Sequence, residues 1–154
     1  PGHTSSIRRI EGGMLSYHAD MDAQTNPFEV GLDRLVDLEM PADFIGKAAL
    51  HRLKQQGVTR QQVGFEIDGE PLPGPNTQFW PLEINGEVIG KVTSAVYSPR
   101  LKKNIALAMV SSAHSTLGAT CDVQLPGVTR SGKIVPKPFY DPKKQITAGS
   151  TVAA

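Results

Sequence analysis

Residues 81–89 read Pro-Leu-Glu-Ile-Asn-Gly-Glu-Val-Ile, and the Asn85-Gly86 pair at their centre leaves the backbone few paths. A two-residue type I′ turn needs positive φ at both central positions, and its twist matches that of two paired strands. Asparagine and glycine tolerate that conformation, so the segment is a hairpin. The chain around it changes to a period of two from Val58 onward: Val63, Phe65 and Ile67 alternate with polar or small residues and end at the turn pair Asp68-Gly69. Val92 to Tyr97 prolongs the second strand of the hairpin, and Ser98-Pro99-Arg100-Leu101 makes a loop. Asn104 to Val110 is apolar enough to be buried on both faces. Two more strands are expected near Cys121 to Leu125 and Gly132 to Val135. Short strands at this spacing over about residues 60–140 predict a small barrel or sandwich.

The front of the chain reads differently. Ser5-Ser6-Ile7-Arg8-Arg9-Ile10 has the look of a strand that starts almost at the first residue, and a strand needs partners. Gly12-Gly13, Asn26-Pro27 and Met40-Pro41 then punctuate residues 11–45. One helix is expected at about 46–56, with Asp43 as its N-cap, an apolar stripe of Phe44, Ala48, Leu50 and Leu53, and Gly57 as its stop. The expected organisation is residues 1–57 as the end of a larger region, 58–142 as a compact β-module, and 143–154 as a flexible tail.

Sixteen basic residues against fifteen acidic ones give a formal charge of +1, so no overall field recruits nucleic acid or an anionic membrane. The longest apolar run, Ile105 to Val110, is far below the roughly 20 residues that cross a bilayer. No basic segment followed by an apolar stretch opens the chain, and a cytoplasmic location is expected. Cys121 is the sole cysteine and reads as a small buried thiol; the four histidines show no metal-ligand spacing. Phosphate-binding loops, dinucleotide fingerprints, nucleophile elbows and zinc-protease helices are all missing from the sequence.

What remains is a polar set in the first third: Arg9, Glu11, Tyr17, Asp20, Asp22, Glu29 and Asp33. Glu11 stands apart because Gly12-Gly13 follows it, where missing side chains let a ligand or another backbone come close. A carboxylate there can accept two parallel hydrogen bonds from an amino-pyrimidine edge. Tyr17 could cover such a ring by stacking. Arg100, Lys102 and Lys103 read first as a solvated turn and only second as an anion site.

Taken together, several segments resemble the aminomethyltransferase family, the T-protein of the glycine cleavage system, and its relatives that demethylate small substrates with tetrahydrofolate. They are Arg9-Ile-Glu-Gly-Gly-Met-Leu-Ser-Tyr17, Asn26-Pro-Phe-Glu-Val-Gly-Leu32, Asp43-Phe-Ile-Gly-Lys47, Gly90-Lys-Val-Thr-Ser94 leading through Ser98-Pro99 to Lys103-Asn-Ile-Ala106, and Pro138-Phe-Tyr140. Their order and spacing span nearly all of residues 7–140. The resemblance implies an α+β, mostly β fold: the end of a folate-binding α+β region followed by a small antiparallel β-barrel. It implies tetrahydrofolate as cofactor, with Glu11 on the pterin ring and Tyr17 and Glu29 at recurrent motif positions. Folate and a lipoylated carrier protein are the implied partners. No residue here matches the family's aspartate beside the reacting folate nitrogen, so a fragment without catalytic residues is expected, inactive alone. His18 stands where the family usually has glycine, and Asp33-Arg34 replaces a small or aromatic pair. These departures leave open two alternatives, a demethylase of a small methylated substrate and a non-catalytic folate binder.

Overall fold

A computed structural model describes the backbone of residues 2–146 and the side chains from residue 5 onward. Helix α1 (Gly2–Glu11) leads into irregular chain, with one 3-10 turn at Asp33–Leu35, and then helix α2 (Lys47–Gln56). Six strands follow: β1 (Arg60–Ile67), β2 (Trp80–Ile84), β3 (Glu87–Ser98), β4 (Lys103–Ser111), β5 (Thr120–Leu125) and β6 (Val128–Val135). They close into an antiparallel barrel in the order β1-β4-β3-β2-β5-β6, so the regular structure is mostly strand and the sheet has no open side.

The hairpin forms as its sequence dictates, with φ of 52° at Asn85 and 82° at Gly86. A register shift between Leu82 and Glu83 bends β2 as it wraps the barrel. Alternate residues of every strand fill the lumen: Phe65, Leu82, Val92, Ala95, Ala106, Ala108, Val123 and Ile134 meet there. Cys121 belongs to the same core, and burial pushes its thiol up to about 11, well away from a reactive thiolate.

Strand β4 is buried on both faces for two different reasons. Ala106, Ala108 and Val110 point into the lumen, while Ile105 and Leu107 point outward and meet Ile10 and Val96 in a second core, flanked by Ile7, Leu15 and Phe139. The outer core exists because α1 lies on the barrel wall. Here the structure corrects the expected strand at residues 5–10. Ile7 and Ile10 are three residues apart, which sets them on one face of a helix but on opposite faces of a strand, and the barrel offers one apolar stripe to meet them. Fully burying an isoleucine such as Ile10 contributes about 1.5–3 kcal/mol, which outweighs the weak local preference of the segment.

Helix α2 ends at Gly57, whose amide donates to Leu53 O at 3.0 Å. Its start differs from expectation. The N-cap is Gly46, at φ 94°, and Asp43 caps nothing; its carboxylate accepts from the adjacent Phe44 amide instead. Two residues, Ile45 and Gly46, separate that turn from the first helical residue, so the Asp43 side chain lies outside the helix's first turn. No residue of α2 is buried, and Leu50 and Leu53 of the expected stripe are half-covered. The expected tail at 143–154 lies outside the described residues from 147 on. No helix among the described residues is long and apolar enough to cross a membrane.

Gly64, in the middle of β1, shows how the fold reaches the carboxy-terminal segment. A Cβ there would sit 2.7 Å from Val135 O and 3.2 Å from the Phe139 ring. The missing side chain lets the chain after β6 fold back across the strand. Gly64→Ala is expected to cost about 1–3 kcal/mol by overpacking and to speed amide exchange at Phe139 and Tyr140 more than in β3. An unchanged denaturation midpoint would count against this account of the close approach.

Candidate functional site

The polar residues of the first third are set along the outer wall of the barrel. Glu11, the last residue of α1, is 5% exposed. Its carboxylate accepts a hydrogen bond from the Ser98 hydroxyl at 2.5 Å through Oε1, and that hydroxyl also accepts from the Leu101 amide at 3.2 Å. Its backbone carbonyl accepts from both Phe139 N at 2.9 Å and Tyr140 N at 3.1 Å. Helix end, β3 end and carboxy-terminal segment therefore converge on one residue. Oε2 receives no donor among the described residues. Gly13 turns the chain away at φ 64°, and a Cβ there would stand 3.4 Å from Pro138 Cα, so the close neighbour at this glycine is another backbone.

Midway along β3 lies a buried charge cluster that joins Arg9 and Asp20 of the polar set to two hydroxyls of the strand. Asp20, 2% exposed, accepts from Arg9 Nη1 at 2.6 Å, Thr93 Oγ1 at 2.6 Å, Ser94 Oγ at 2.7 Å and the Ser16 amide at 2.9 Å. Arg9 Nη2 also donates to Ser94 Oγ at 2.8 Å. Four donors on one carboxylate satisfy a charge that burial alone would make costly. Thr93 and Ser94 straddle a shift in the β3–β4 register, between Val92 and Ser94, and the resulting kink turns both hydroxyls toward Asp20. Beside the cluster, Lys137 donates to Gln62 Oε1 at 2.5 Å; burial pulls its ammonium down to about 8, against the opposing pull of Asp20.

Tyr17 is 56% exposed and meets the His18 ring edge-on at 4.4 Å. Both line a concavity of about 510 Å3 with Asn76, Thr77, Gln78 and Phe79. His18 has φ 70°, the left-handed conformation that suits glycine, and its amide donates to Met21 O at 2.8 Å. The turn thus has the glycine conformation with an imidazole added. Arg34 and Asp33 are exposed on the 3-10 turn.

Glu29 sits at the other end. Arg60 grips its carboxylate with Nε at 2.9 Å and Nη2 at 3.3 Å, the Asn26 amide adds a bond at 3.0 Å, and Glu29 O accepts from Gln62 N at 2.7 Å. The side chain ties the Asn26-Pro27 turn to β1. Glu11 and Glu29 are not neighbours: Ser98 pairs with Lys103 at one end of β4, and Arg60 with Ser111 at the other. Eight residues at about 3.3 Å each separate those ends by roughly 26 Å. Tyr17 lies between, opposite Thr93. Among the described residues no group of three or more His, Cys, Asp or Glu could hold a metal.

A closed six-stranded antiparallel barrel, capped on its outer wall by a helix that ends in a buried glutamate, defines the class. Residues 60–141 match the family model for the glycine cleavage T-protein C-terminal barrel domain, and the chain belongs to that family. It is 42% identical over 132 residues to aminomethyltransferases of Synechococcus sp. (strain CC9902) and Symbiobacterium thermophilum, covering 86% of this chain but 35% and 34% of theirs. It superposes on the crystal structure of glycine cleavage system aminomethyltransferase T from Bartonella henselae with a TM-score of 0.79 at 26% identity, covering 88% of this chain and 38% of that one. The chain spans about a third of the length of these relatives.

Two substitutions probe these contacts. Asp20→Asn keeps the shape but strips the charge that holds Arg9, and is expected to destabilise by about 2–3 kcal/mol, less than for a fully buried pair because Arg9 is partly exposed; chemical denaturation measures it. His18→Gly should stabilise by about 1 kcal/mol by removing the left-handed strain, and a fall in melting temperature would show that the Tyr17–His18 contact outweighs it.

Proposed function

We propose that the chain is the carboxy-terminal part of a tetrahydrofolate-dependent aminomethyltransferase, with residues 1–57 closing its folate-binding region and 58–142 forming the barrel. The observation that carries this reading is the Glu11 carboxylate, held on one oxygen by Ser98 and free of protein donors on the other among the described residues. A fixed, nearly buried carboxylate with one open oxygen suits the N–H edge of an amino-pyrimidine, where charge-assisted bonds are strong and directional. The names of the relatives, aminomethyltransferases along matches covering 86% of the chain, support the same activity.

Tetrahydrofolate supplies the nitrogen that accepts the one-carbon unit. The residues of this chain bind and orient it: Glu11 sets the ring's rotation, and Tyr17 offers an exposed face to its aromatic part. Glu29, whose oxygens already accept from Arg60 and the Asn26 amide, acts by fixing the Asn26 turn rather than by touching the pterin. The donor in this reading is an aminomethyl group on a lipoylated carrier protein, and the enzyme works in the cytoplasm. Turnover of small methylated donors in place of the carrier would instead make it a demethylase.

Glu11→Gln keeps a hydrogen-bond acceptor for Ser98 and removes the charge. The affinity of the full-length transferase for tetrahydrofolate, read by calorimetry, is expected to drop about tenfold, the scale of a charge-assisted bond replaced by a neutral one. Equal affinity for both proteins would sink the role given to Glu11.

A further inference from the structure

The β2–β3 hairpin sets four side chains on the outer wall of the barrel, in an order fixed by its register. Pro81 and Glu83 flank the lumen residue Leu82 on β2 and so point outward, and the register puts Lys91 opposite Pro81 and Val88 opposite Glu83. Paired strands lie about 4.8 Å apart and two residues along a strand rise about 6.6 Å, so the four form a nearly square patch. Glu83 and Lys91 occupy one diagonal of it, Pro81 and Val88 the other. Val88 is 62% exposed and Pro81 is exposed as well, so the apolar diagonal faces solvent.

The charged diagonal is unbalanced at both ends. Asp122 of β5 stands directly across from Glu83, and carboxylates at opposed positions repel each other. Gln124 donates one hydrogen bond to Glu83 Oε2 at 3.0 Å, and among the described residues no cation is paired with either acid. At the other corner the Lys91 ammonium lies over the Phe79 ring, 4.1 Å from its centroid. The acid of its own chain that feels its charge is Asp22, whose carboxylate already accepts from the Gln24 amide and the Thr25 hydroxyl. A groove of about 560 Å3 runs from Lys91 past Phe79 and Met109 to Arg60, and no carboxylate lines it. The face is therefore acidic at one corner, basic at the opposite corner and apolar between them.

We propose that this face docks a second copy of the chain across a twofold axis that lies in the face, along the Pro81–Val88 diagonal. A half-turn about that line keeps Pro81 and Val88 on their own counterparts, carries Glu83 onto the partner's Lys91, and carries Lys91 onto the partner's Glu83. A twofold contact has to be self-complementary in this way, because the same patch serves both sides. A partner carrying only acids or only bases would leave one corner against like charge, whereas a second copy brings both signs to the places that need them. Glu11 bonds to Ser98 at the other end of β3 from Val88, so the proposal stands apart from the folate reading.

Sedimentation equilibrium of the 154-residue chain is expected to show a reversible monomer–dimer equilibrium that weakens as salt rises. Lys91→Glu alone, or Glu83→Lys alone, sets like charges together at both symmetric contacts and should weaken the dimer about tenfold, the scale of two exposed ion pairs. The double variant Glu83→Lys with Lys91→Glu restores the match and should return the affinity to within about threefold of the parent chain. Val88→Asp puts two carboxylates on the axis and should leave only monomer. Ile45→Asp, at an exposed site outside this face, should change nothing. Circular dichroism checks that each variant is folded. A monomer at every concentration up to about 1 mM overturns the proposal. So does a dimer that the face variants leave unchanged or that Ile45→Asp weakens, and so do single-variant losses that the double variant fails to recover.

Discussion

Asp20 carries a buried negative charge against the outside of a β-barrel, where the inside of the fold can give it nothing. Its stability comes from Arg9 on α1 and from two hydroxyls, Thr93 and Ser94, on β3. The ion pair thereby ties α1, the Ser16–Asp20 turn and β3 together beside the outer core. Attraction between an exposed pair is worth little, but this carboxylate is fully covered and bonded on all sides, so its loss leaves an uncompensated group in a dry setting. The pair also fixes the rotation of α1 about its own axis, because Arg9 must reach β3 while Ile10 enters the outer core.

That rotation decides where Glu11 points. A helix turns by about 100° per residue, so Arg9 on Asp20 and Ile10 on Ile105 and Leu107 leave Glu11 facing the end of β3, where Ser98 waits. The backbone carbonyl of Glu11 is then clamped from the far end of the chain by the Phe139 and Tyr140 amides. Those amides reach it only because Gly64 has no side chain under the Phe139 ring. Site geometry here is a consequence of barrel closure: without β1 beside β6, the carboxy-terminal segment has no floor.

The barrel was legible in the sequence because its signals are local. Asn85-Gly86 demands positive φ, Asp68-Gly69 ends a strand, and the unbroken apolar run at 105–110 requires cover on both faces. The helix at residues 2–11 was not legible, since two apolar residues in so short a segment set no period by themselves, and it is the stripe on β3 and β4 that calls for both on one face. Likewise Asp20 looked like surface: its partners lie 73 and 74 residues away at Thr93 and Ser94, and no local pattern marks such a pairing. Glu11 stood out in the sequence for a chemical reason, a carboxylate before two glycines, and the close approach is that of Pro138 to Gly13. Glu29, at a recurrent motif position of the family, is held by Arg60 at the other end of β4 from Ser98 and Glu11.

The same dependence explains why the site residues tolerate cost. A nearly buried Glu11 with one hydroxyl partner is poorly solvated, and a left-handed His18 is strained; either would shift the chain elsewhere if its surroundings were loose. Both are flanked by contacts that a local rearrangement would have to break together: the outer core and Ser98 around Glu11, the Asp20 cluster and the Met21 bond around His18. Because the barrel is closed, neither neighbourhood can relax by opening a sheet edge, and the energy needed to hold a covered carboxylate and a left-handed backbone is drawn from packing around them.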